Sequence, residues 1–461
     1  MKKSHFKTAA TVFITAALAC SLQKQAEAHQ ETVEEELEVQ EGVDSWGQFA
    51  GDLGFGVIGA DVFTTLQLGA DIREGDMAAG FQAALRLRTV SSGEDRESVI
   101  RREDWDEPSD FANIIRYLTY GKDLGFLAFG LNIGVLCPAQ LGHGTLLDNY
   151  NSMVDLNYNH SGFQAALRHE YFGFDFVMDD FVAPKILALR LEAKFRGFAF
   201  GVTGMTDLRA PSRVLLDDDG ERRVTKTRKL YVETEPLGFV GYDASYTVGD
   251  KKGFWLKPYF DNNWVVGGGG GLHVGVQAGG VFFGGKLQLG GRAEYRVGWN
   301  EYAPGYVDLF YDIQRYQISL GDSWRARREG SLETKSAILS TFPSVAHGGK
   351  WEAGISYERL FWLRFAYHLR EGPLGDMTFL EVGVPYGRRW VFSGLLAKTG
   401  LFDKDSMSKA DGLLAAAEAR VEILKHLYVL GQFRYLYGLD NEGLYRGVVL
   451  ANLAIGARWG Y

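Results

Sequence analysis

Two histidine-containing segments are the first places where the sequence could support catalysis. His143 stands in "LGHGT", and His160 and Ser161 stand together in "NYNHSG". A serine hydrolase needs a serine, a histidine and an orienting partner within hydrogen-bonding reach of one another. Nothing in the spacing of these residues indicates that such groups meet. We therefore predict that these histidines lie in loops and that the protein is not an enzyme.

Two glycine-rich segments resemble nucleotide-binding loops only superficially. "GFGVIG", Gly54 to Gly59, matches the pattern G-x-G-x-x-G, but that fingerprint must open a helix and the residues that follow alternate as a strand. The run "GGGGG" at Gly267 to Gly271 lacks a following Lys-Ser or Lys-Thr. We predict no cofactor and no metal site.

Charged residues recur at every second position in several segments. They could serve a water-filled pore, in which an excess of arginine favours anions. They could equally pair across neighbouring strands and stiffen a wall. The charged residues that we predict to line the pore are Arg73, Arg86, Arg88, Arg116, Arg168, Glu170, Arg190, Glu192, Lys194, Arg292, Glu294 and Arg296, and Arg364, Glu418, Arg420 and Glu422 follow the same period.

The elements that carry these charges are predicted to be strands. "FTTLQLGADIR", "GFQAALRLRT" and "KLQLGGRAEYRV" each alternate apolar and polar residues. A period of two places the apolar side chains of a strand on one face and the polar side chains on the other. Even Leu413 to Lys425, "LLAAAEARVEILK", keeps this period despite its high helix propensity.

The composition indicates a membrane β-barrel. The chain has 58 Gly, 30 Phe, 22 Tyr and 10 Trp but only 10 Pro. Beyond the N-terminal region it has no apolar run near the roughly 20 residues that a spanning helix requires. Lipid tolerates only helices and closed barrels, so a chain of this kind is expected to span the membrane with strands. The net charge of −9 argues against a nucleic-acid partner.

The N-terminal region reads as a signal peptide over residues 1–28. "MKKSHFK" is basic, Thr8 to Leu22 is apolar, and "AEA" is a small-x-small cleavage site, so the mature chain should begin at His29. Cys20 in "LAC" weakly suggests lipidation, which we do not expect. Cys137 would then be the only thiol, so no intrachain disulfide could form.

Residues 29–50 are predicted to be an acidic periplasmic segment, and residues 51–461 the barrel. "ETVEEELEV" lies where a TonB-dependent transporter carries its coupling segment, but strand-like alternation begins by about Asp52 and leaves no room for a plug domain.

Short and long connections alternate between the predicted strands. Tight turns such as "EGDM" and "GKDLG" alternate along the chain with long polar segments such as Ser91 to Asp110 and Asp207 to Arg228. Outer-membrane barrels have short periplasmic turns and long outward loops. We predict a single closed antiparallel transmembrane β-barrel of about 18–22 strands, with 22 the favoured count.

The C-terminal segment "LAIGARWGY" alternates and ends on an aromatic residue. It resembles the terminal strand of bacterial outer-membrane β-barrel proteins. That resemblance implies that Leu453, Ile455, Trp459 and Tyr461 form the signal for the barrel-insertion machinery of a Gram-negative cell. "LGHGTLLDNY" and "GYVDLFYDIQRYQ" are similar to segments of uncharacterised proteobacterial outer-membrane proteins, a similarity that implies no activity.

The predicted function is a porin-like channel that passes small polar solutes, including anions, by diffusion. We expect Leu136 to His160 to fold inward as a constriction. The alternative is a structural or surface-anchoring barrel whose lumen is closed by its own charges. In either case the partners are outer-membrane lipids and lipopolysaccharide.

Overall fold

The computed structural model describes residues 45–91, 98–136, 138–225, 228–250, 253–321, 323, 326, 330–358, 360–386 and 389–460. The predicted signal peptide, Cys20, Cys137 and Tyr461 lie outside the described residues. The first described strand includes Ser45 to Ala50, which the sequence assigned to the segment before the barrel.

Twenty antiparallel strands form the barrel wall. In chain order they are β1 (Ser45–Ile58), β2 (Asp61–Glu74), β3 (Met77–Val90), β4 (Ile115–Asp123), β5 (Leu127–Gly134), β6 (Gly162–His169), β7 (Phe172–Met178), β8 (Ile186–Phe195), β9 (Phe198–Val214), β10 (Val232–Tyr246), β11 (Phe254–Val265), β12 (Gly270–Phe282), β13 (Leu287–Trp299), β14 (Val345–Tyr357), β15 (Phe361–Arg370), β16 (Asp376–Tyr386), β17 (Trp390–Leu401), β18 (Leu413–Leu424), β19 (Leu427–Leu439) and β20 (Tyr445–Gly460). A two-residue strand, Val248–Gly249, adds to β11.

The first and last strands pair and close the barrel. β1 runs antiparallel to β20, with Leu53 opposite Ile455. The predicted closed barrel is therefore confirmed. Its 20 strands fall inside the predicted range and two below the favoured count of 22. Residues 300–344 are long enough for two strands and a turn, but none of the described residues in this range belongs to a barrel strand.

Long and short connections lie at opposite ends of the barrel. Turns 75–76, 170–171 and 425–426 lie at the end that also holds Ser45 and Gly460. Connections 91–114, 135–161, 215–231, 300–344 and 402–412 lie at the other end. The predicted strand over Leu413 to Lys425 is confirmed as β18, because its neighbours β17 and β19 supply backbone partners that override helix propensity.

The outer surface of the barrel is apolar. Leu68 is 56% exposed, and Leu453, Ile455 and Trp459 in the last strand are 63%, 61% and 57% exposed. A closed sheet with an apolar outer face satisfies its backbone hydrogen bonds internally and can lie in lipid. The chain thus has the architecture of a membrane-spanning β-barrel.

Helices are short and lie in the connections. They are α1 (Pro108–Ala112), α2 (Tyr311–Gln314) and α3 (Lys404–Ser408), with 3-10 turns at Arg102–Asp104, Phe283–Gly285 and Ala337–Thr341. Among the described residues, none of these helices has the length and apolar character needed to cross a membrane.

Two connections fold into the barrel and form its core. We call residues 135–161 the first lumen loop and residues 300–344 the second lumen loop. Leu136, Leu147 and Tyr150 of the first loop pack with Tyr306 and Tyr311 of the second in one buried apolar cluster. The predicted inward folding of Leu136 to His160 is confirmed. The second lumen loop also carries a small ladder between Ile318–Ser319 and Leu332–Glu333.

Candidate pore and lumen-facing charges

The lumen loops cover the inner face of strands β10 to β17. Lys257, Glu352 and Arg364 on this face are half-buried. Many other inward side chains on these strands are almost fully buried, with exposures between 0% and 6%; they are Asp243, Asp261, His273, Arg292, Glu294, Arg296, Lys350, His368, Arg370, Glu381 and Ser393. We call this half of the barrel the packed wall. A solute could not pass along it without displacing the loops.

The charges of the packed wall are paired. Arg190 on β8 binds Asp243 at 2.7 Å and Glu192 at 3.1 Å, and Arg292 binds Glu352 at 2.6 Å. Arg296 binds Glu294 on its own strand. Each buried charge in this set has an opposite charge within reach, as burial requires. Three of the predicted pore-lining arginines, at positions 190, 292 and 296, therefore hold the wall together.

The first lumen loop is tied to the packed wall by polar contacts. Lys350 Nζ donates to Asp148 Oδ2 at 2.6 Å, and Thr145 Oγ1 donates to Asp261 Oδ2 at 2.7 Å. Arg292 donates to the backbone carbonyl of His143. These contacts fix the loop against β11, β13 and β14.

The second lumen loop is tied to the same side of the barrel. Asp308 binds Arg370 at 3.0 Å and Lys335 at 3.3 Å. Arg315 binds Asp207 at 3.0 Å. Burial lowers the pKa of Lys335 to about 8, although Asp308 opposes that shift.

The inner face opposite the packed wall is more accessible. Eight inward side chains of β2, β3, β19 and β20 keep partial exposure; they are Thr65, Gln67, Gln82, Ala84, Arg86, Gln432, Arg434 and Asn452. Others on the same face, such as Asp71, Leu430 and Ala454, are buried. A small cavity at this face is lined by Gly56, Phe63, Thr65, Gln67, Arg86, Gln432 and Asn452. We call the eight partly exposed residues the accessible wall.

Arginines and carboxylates lie together beside the accessible wall. Arg86 binds Asp104 at 2.9 Å, and Asp104 is shared with Arg101. Arg420 and Arg434 both interact electrostatically with Glu418, and Arg420 also with Asp52. Arg434 Nε and Arg420 Nη2 are buried without a hydrogen-bond partner in the described part of the chain.

The remaining predicted pore residues lie in several environments. Arg88 binds Asp61 at 3.1 Å, Arg116 binds Asp71, Arg168 binds Asp175, and Lys194 binds Glu192 at 3.1 Å. Arg73 is exposed at the turn end of β2. Glu170 lies in the turn after β6 and is exposed, so it is not on the inner wall. The proposed insertion residues Leu453, Ile455 and Trp459 face outward.

Sequence reasoning missed several residues that matter here. The two-residue period of "HLYVLGQFRYLY" does place Arg434 on the polar face of its strand, but the predicted pore-lining residues do not include it. Asp148 and Lys350 meet although they are 202 residues apart in the chain. No local pattern signals such a contact.

His160 and Ser161 have separate partners. His160 Nε2 lies 2.8 Å from Tyr150 Oη, whereas Ser161 Oγ donates to Asn113 Oδ1 at 3.2 Å. Burial lowers the pKa of His160 to about 4, so the ring is neutral at physiological pH. The His160–Tyr150 contact lies within the first lumen loop, and the Ser161–Asn113 contact joins that loop to connection 91–114.

Comparison with known proteins finds likeness only at the level of solved structures. No protein-family model and no curated protein matches the sequence. Pseudomonas aeruginosa OccK10 (OpdN) is similar with a TM-score of 0.32 and 11% identity, over 91% of this chain and 99% of that chain. Pseudomonas aeruginosa OccK5 (OpdH) has a TM-score of 0.34 and 9% identity, over 91% and 98%. A mutant of the Rh. blastica porin has a TM-score of 0.29 and 7% identity, over 90% and 100%.

The architecture of the chain follows from its own geometry. The sheet closes through β1 and β20, its outer surface is apolar, and its interior is charged. The chain is a closed 20-stranded antiparallel β-barrel of the kind that spans a membrane with its strands.

Proposed function

We propose that the protein is a narrow diffusion channel for small polar solutes, and that the solutes pass along the accessible wall. The observation that carries this proposal is the contrast in exposure across the lumen. Inward charged residues of the packed wall such as Arg296, Lys350 and Glu381 are 0% to 1% exposed, whereas Ala84, Arg86 and Arg434 on the opposite side remain partly exposed. The lumen loops cover β10 to β17 and also reach the outward ends of β19 and β20, where Leu156 N donates to Tyr437 O. The cavity lined by Thr65, Gln67 and Arg86 lies beside β2 and β3.

The charge beside this path favours anions over cations. Arg420 and Arg434 share the carboxylate of Glu418, and Arg86 lies close enough to repel Arg434; the low-dielectric wall around these groups strengthens their field. A pore lined by arginines concentrates anions and repels cations. The preferred solute class is therefore small and negatively charged.

The second candidate is a structural barrel with a closed lumen. It is favoured by the paired charges of the packed wall, such as Arg292 with Glu352, and by the apolar cluster shared by the two lumen loops. In that case the arginines stabilise the wall, and the barrel conducts no ions.

Planar-bilayer recording of the purified, folded protein separates the two candidates. A diffusion channel gives discrete current steps, and a reversal potential in a KCl gradient that reports a preference for chloride. A protein that is folded and heat-modifiable on gels but gives no current would reject the channel and favour the structural barrel.

A further inference from the structure

Three potential metal ligands meet where the first lumen loop touches the packed wall. His143 Nδ1 lies 3.6 Å from Asp261 Oδ2 and 3.8 Å from Asp243 Oδ1. One ligand atom from each of the three residues falls within 4.8 Å of the others. The three residues are only 2% to 5% exposed. The site joins the loop to two strands, β10 and β11.

The histidine has no hydrogen-bond partner for either ring nitrogen within the described ranges. Buried polar atoms are nearly always satisfied, so two unsatisfied nitrogens on one buried ring indicate a missing ligand. The ring is nevertheless held in place, because it stacks on Tyr259 with 4.2 Å between centroids and 12° between planes. Its orientation directs Nδ1 at the two carboxylates.

The backbone around the histidine is shaped to bring it to the wall. Gly142 and Gly144 have φ values of +57° and +71°, a region that favours glycine. A Cβ atom at Gly142 would lie 2.9 Å from Nε of Arg190. The glycines of "LGHGT" therefore allow the loop backbone to approach the Arg190 side chain closely, which a side chain at position 142 would prevent. The proposed channel function does not require this close approach.

We propose that His143, Asp243 and Asp261 bind one divalent transition-metal ion, with zinc the ion that fits best. A tetrahedral zinc site with ligand distances of about 2.1 Å separates its ligand atoms by about 3.4 Å. His143 Nδ1 lies at similar distances, 3.6 Å and 3.8 Å, from the oxygens of Asp261 and Asp243. Imidazole nitrogen and carboxylate oxygen are both donors that zinc accepts. Thr145 Oγ1 donates to Asp261 Oδ2 and leaves that oxygen a second lone pair for the ion.

The surrounding charges are compatible with a dication. Arg190 donates to both oxygens of Asp243, at 2.7 Å and 3.0 Å, but each carboxylate oxygen has a second lone pair for a metal. The charge of Arg190 is matched by Glu192 at 3.1 Å. Two carboxylates and a neutral imidazole then balance the ion. Bound zinc would tie residues 141–148 to the wall, whether or not the barrel conducts.

Zinc binding to the purified full-length protein tests this proposal. The folded protein is treated with a chelator, dialysed, and titrated with zinc chloride by calorimetry, and bound metal is counted by mass spectrometry. We expect one zinc per chain in the wild type. His143→Ala and Asp261→Asn should each weaken binding at least tenfold. His347→Ala, which removes an exposed histidine, should leave binding unchanged.

Cobalt supplies an independent readout of coordination. Cobalt bound at this site should give the visible absorption of a tetrahedral N/O complex, and Asp261→Asn, which preserves shape, should abolish it. Heat-modifiability on gels identifies folded variants, and the wild-type stoichiometry decides the matter even if His143→Ala fails to fold. A wild type that binds no zinc, or a folded His143→Ala or Asp261→Asn variant that binds zinc as tightly as the wild type, would overturn the proposal.

Discussion

Leu147 of the first lumen loop and Val307 of the second form a parallel β-bridge inside the barrel. Asp148 N donates to Val307 O at 2.9 Å, and Val307 N donates to Leu146 O at 3.0 Å. Both side chains are 0% exposed. The two loops therefore form one body, held together by backbone hydrogen bonds and apolar packing, and this body sets the free width of the lumen.

Weakening this contact should widen the channel. Leu147→Ala removes buried methyl groups and should destabilise the paired loops by about 2 to 5 kcal/mol. We expect larger and noisier single-channel currents in planar bilayers. Leu124→Ala is the matched control, because Leu124 is 55% exposed in a turn at the opposite end. Identical currents in the two variants would mean that the lumen loops do not limit the flow.

Ion selectivity should depend on the accessible wall. Arg434→Gln removes one positive charge beside the path and should shift the reversal potential in a KCl gradient toward cations. Arg213→Gln removes the same charge from an exposed pair with Glu233 at the loop end and should have little effect. An equal shift in both variants would indicate a general surface field, and no shift in Arg434→Gln would exclude this residue from the path.

The long connections at one end of the barrel are predicted to face the outside of the cell, and the short turns at the other end the periplasm. Asp218 lies exposed in connection 215–231, and Asp76 lies exposed in the turn between β2 and β3 at the opposite end. Cysteines placed at these two positions, in a chain with Cys137→Ser, should differ in reactivity toward an impermeant thiol reagent applied to whole cells. Only Asp218→Cys should be labelled. Preferential labelling of Asp76→Cys would reverse the proposed orientation.

The free energy of unfolding should depend on pH through Asp155 in the first lumen loop. Burial raises the pKa of Asp155 to about 6, so between about pH 4 and 6 the folded chain holds a proton that the unfolded chain releases. Stability contributed by this group therefore falls as the pH rises through that window. Asp155→Asn should raise the unfolding free energy at pH 7 by roughly 1 to 3 kcal/mol and have little effect at pH 4. Thermal unfolding at both pH values measures this, and an equal effect at both would contradict it.

The barrel could be predicted from the sequence because its signal is local. The two-residue period of segments such as "FTTLQLGADIR" assigns each side chain to a face, and lipid penalises any error on the outer face. The lumen could not be predicted in the same way. Asp148 and Lys350, or His143 and Asp261, meet only after two long connections fold inward, and a loop has no periodicity that reports its position.

The same distinction explains the strand count. Val307, Leu309 and Tyr311 alternate like a strand, yet all three are buried within the barrel in the second lumen loop. An apolar alternation indicates only that one side of a segment is out of water. A segment packed inside the barrel meets that condition as well as a strand that faces lipid.

The central claim is that solutes pass along the accessible wall, and site-directed blocking of single-channel current tests it most directly. Ala84 lies inward on β3 opposite Gln67 and is partly exposed, whereas Ala366 lies inward on β15 and is 0% exposed. Each alanine is changed to cysteine in a Cys137→Ser chain, and current is recorded before and after a small anionic thiol reagent is added. We predict that the reagent reduces the current through Ala84→Cys and leaves Ala366→Cys unchanged. Block of Ala366→Cys alone, or absence of current in the unmodified protein, would contradict the claim.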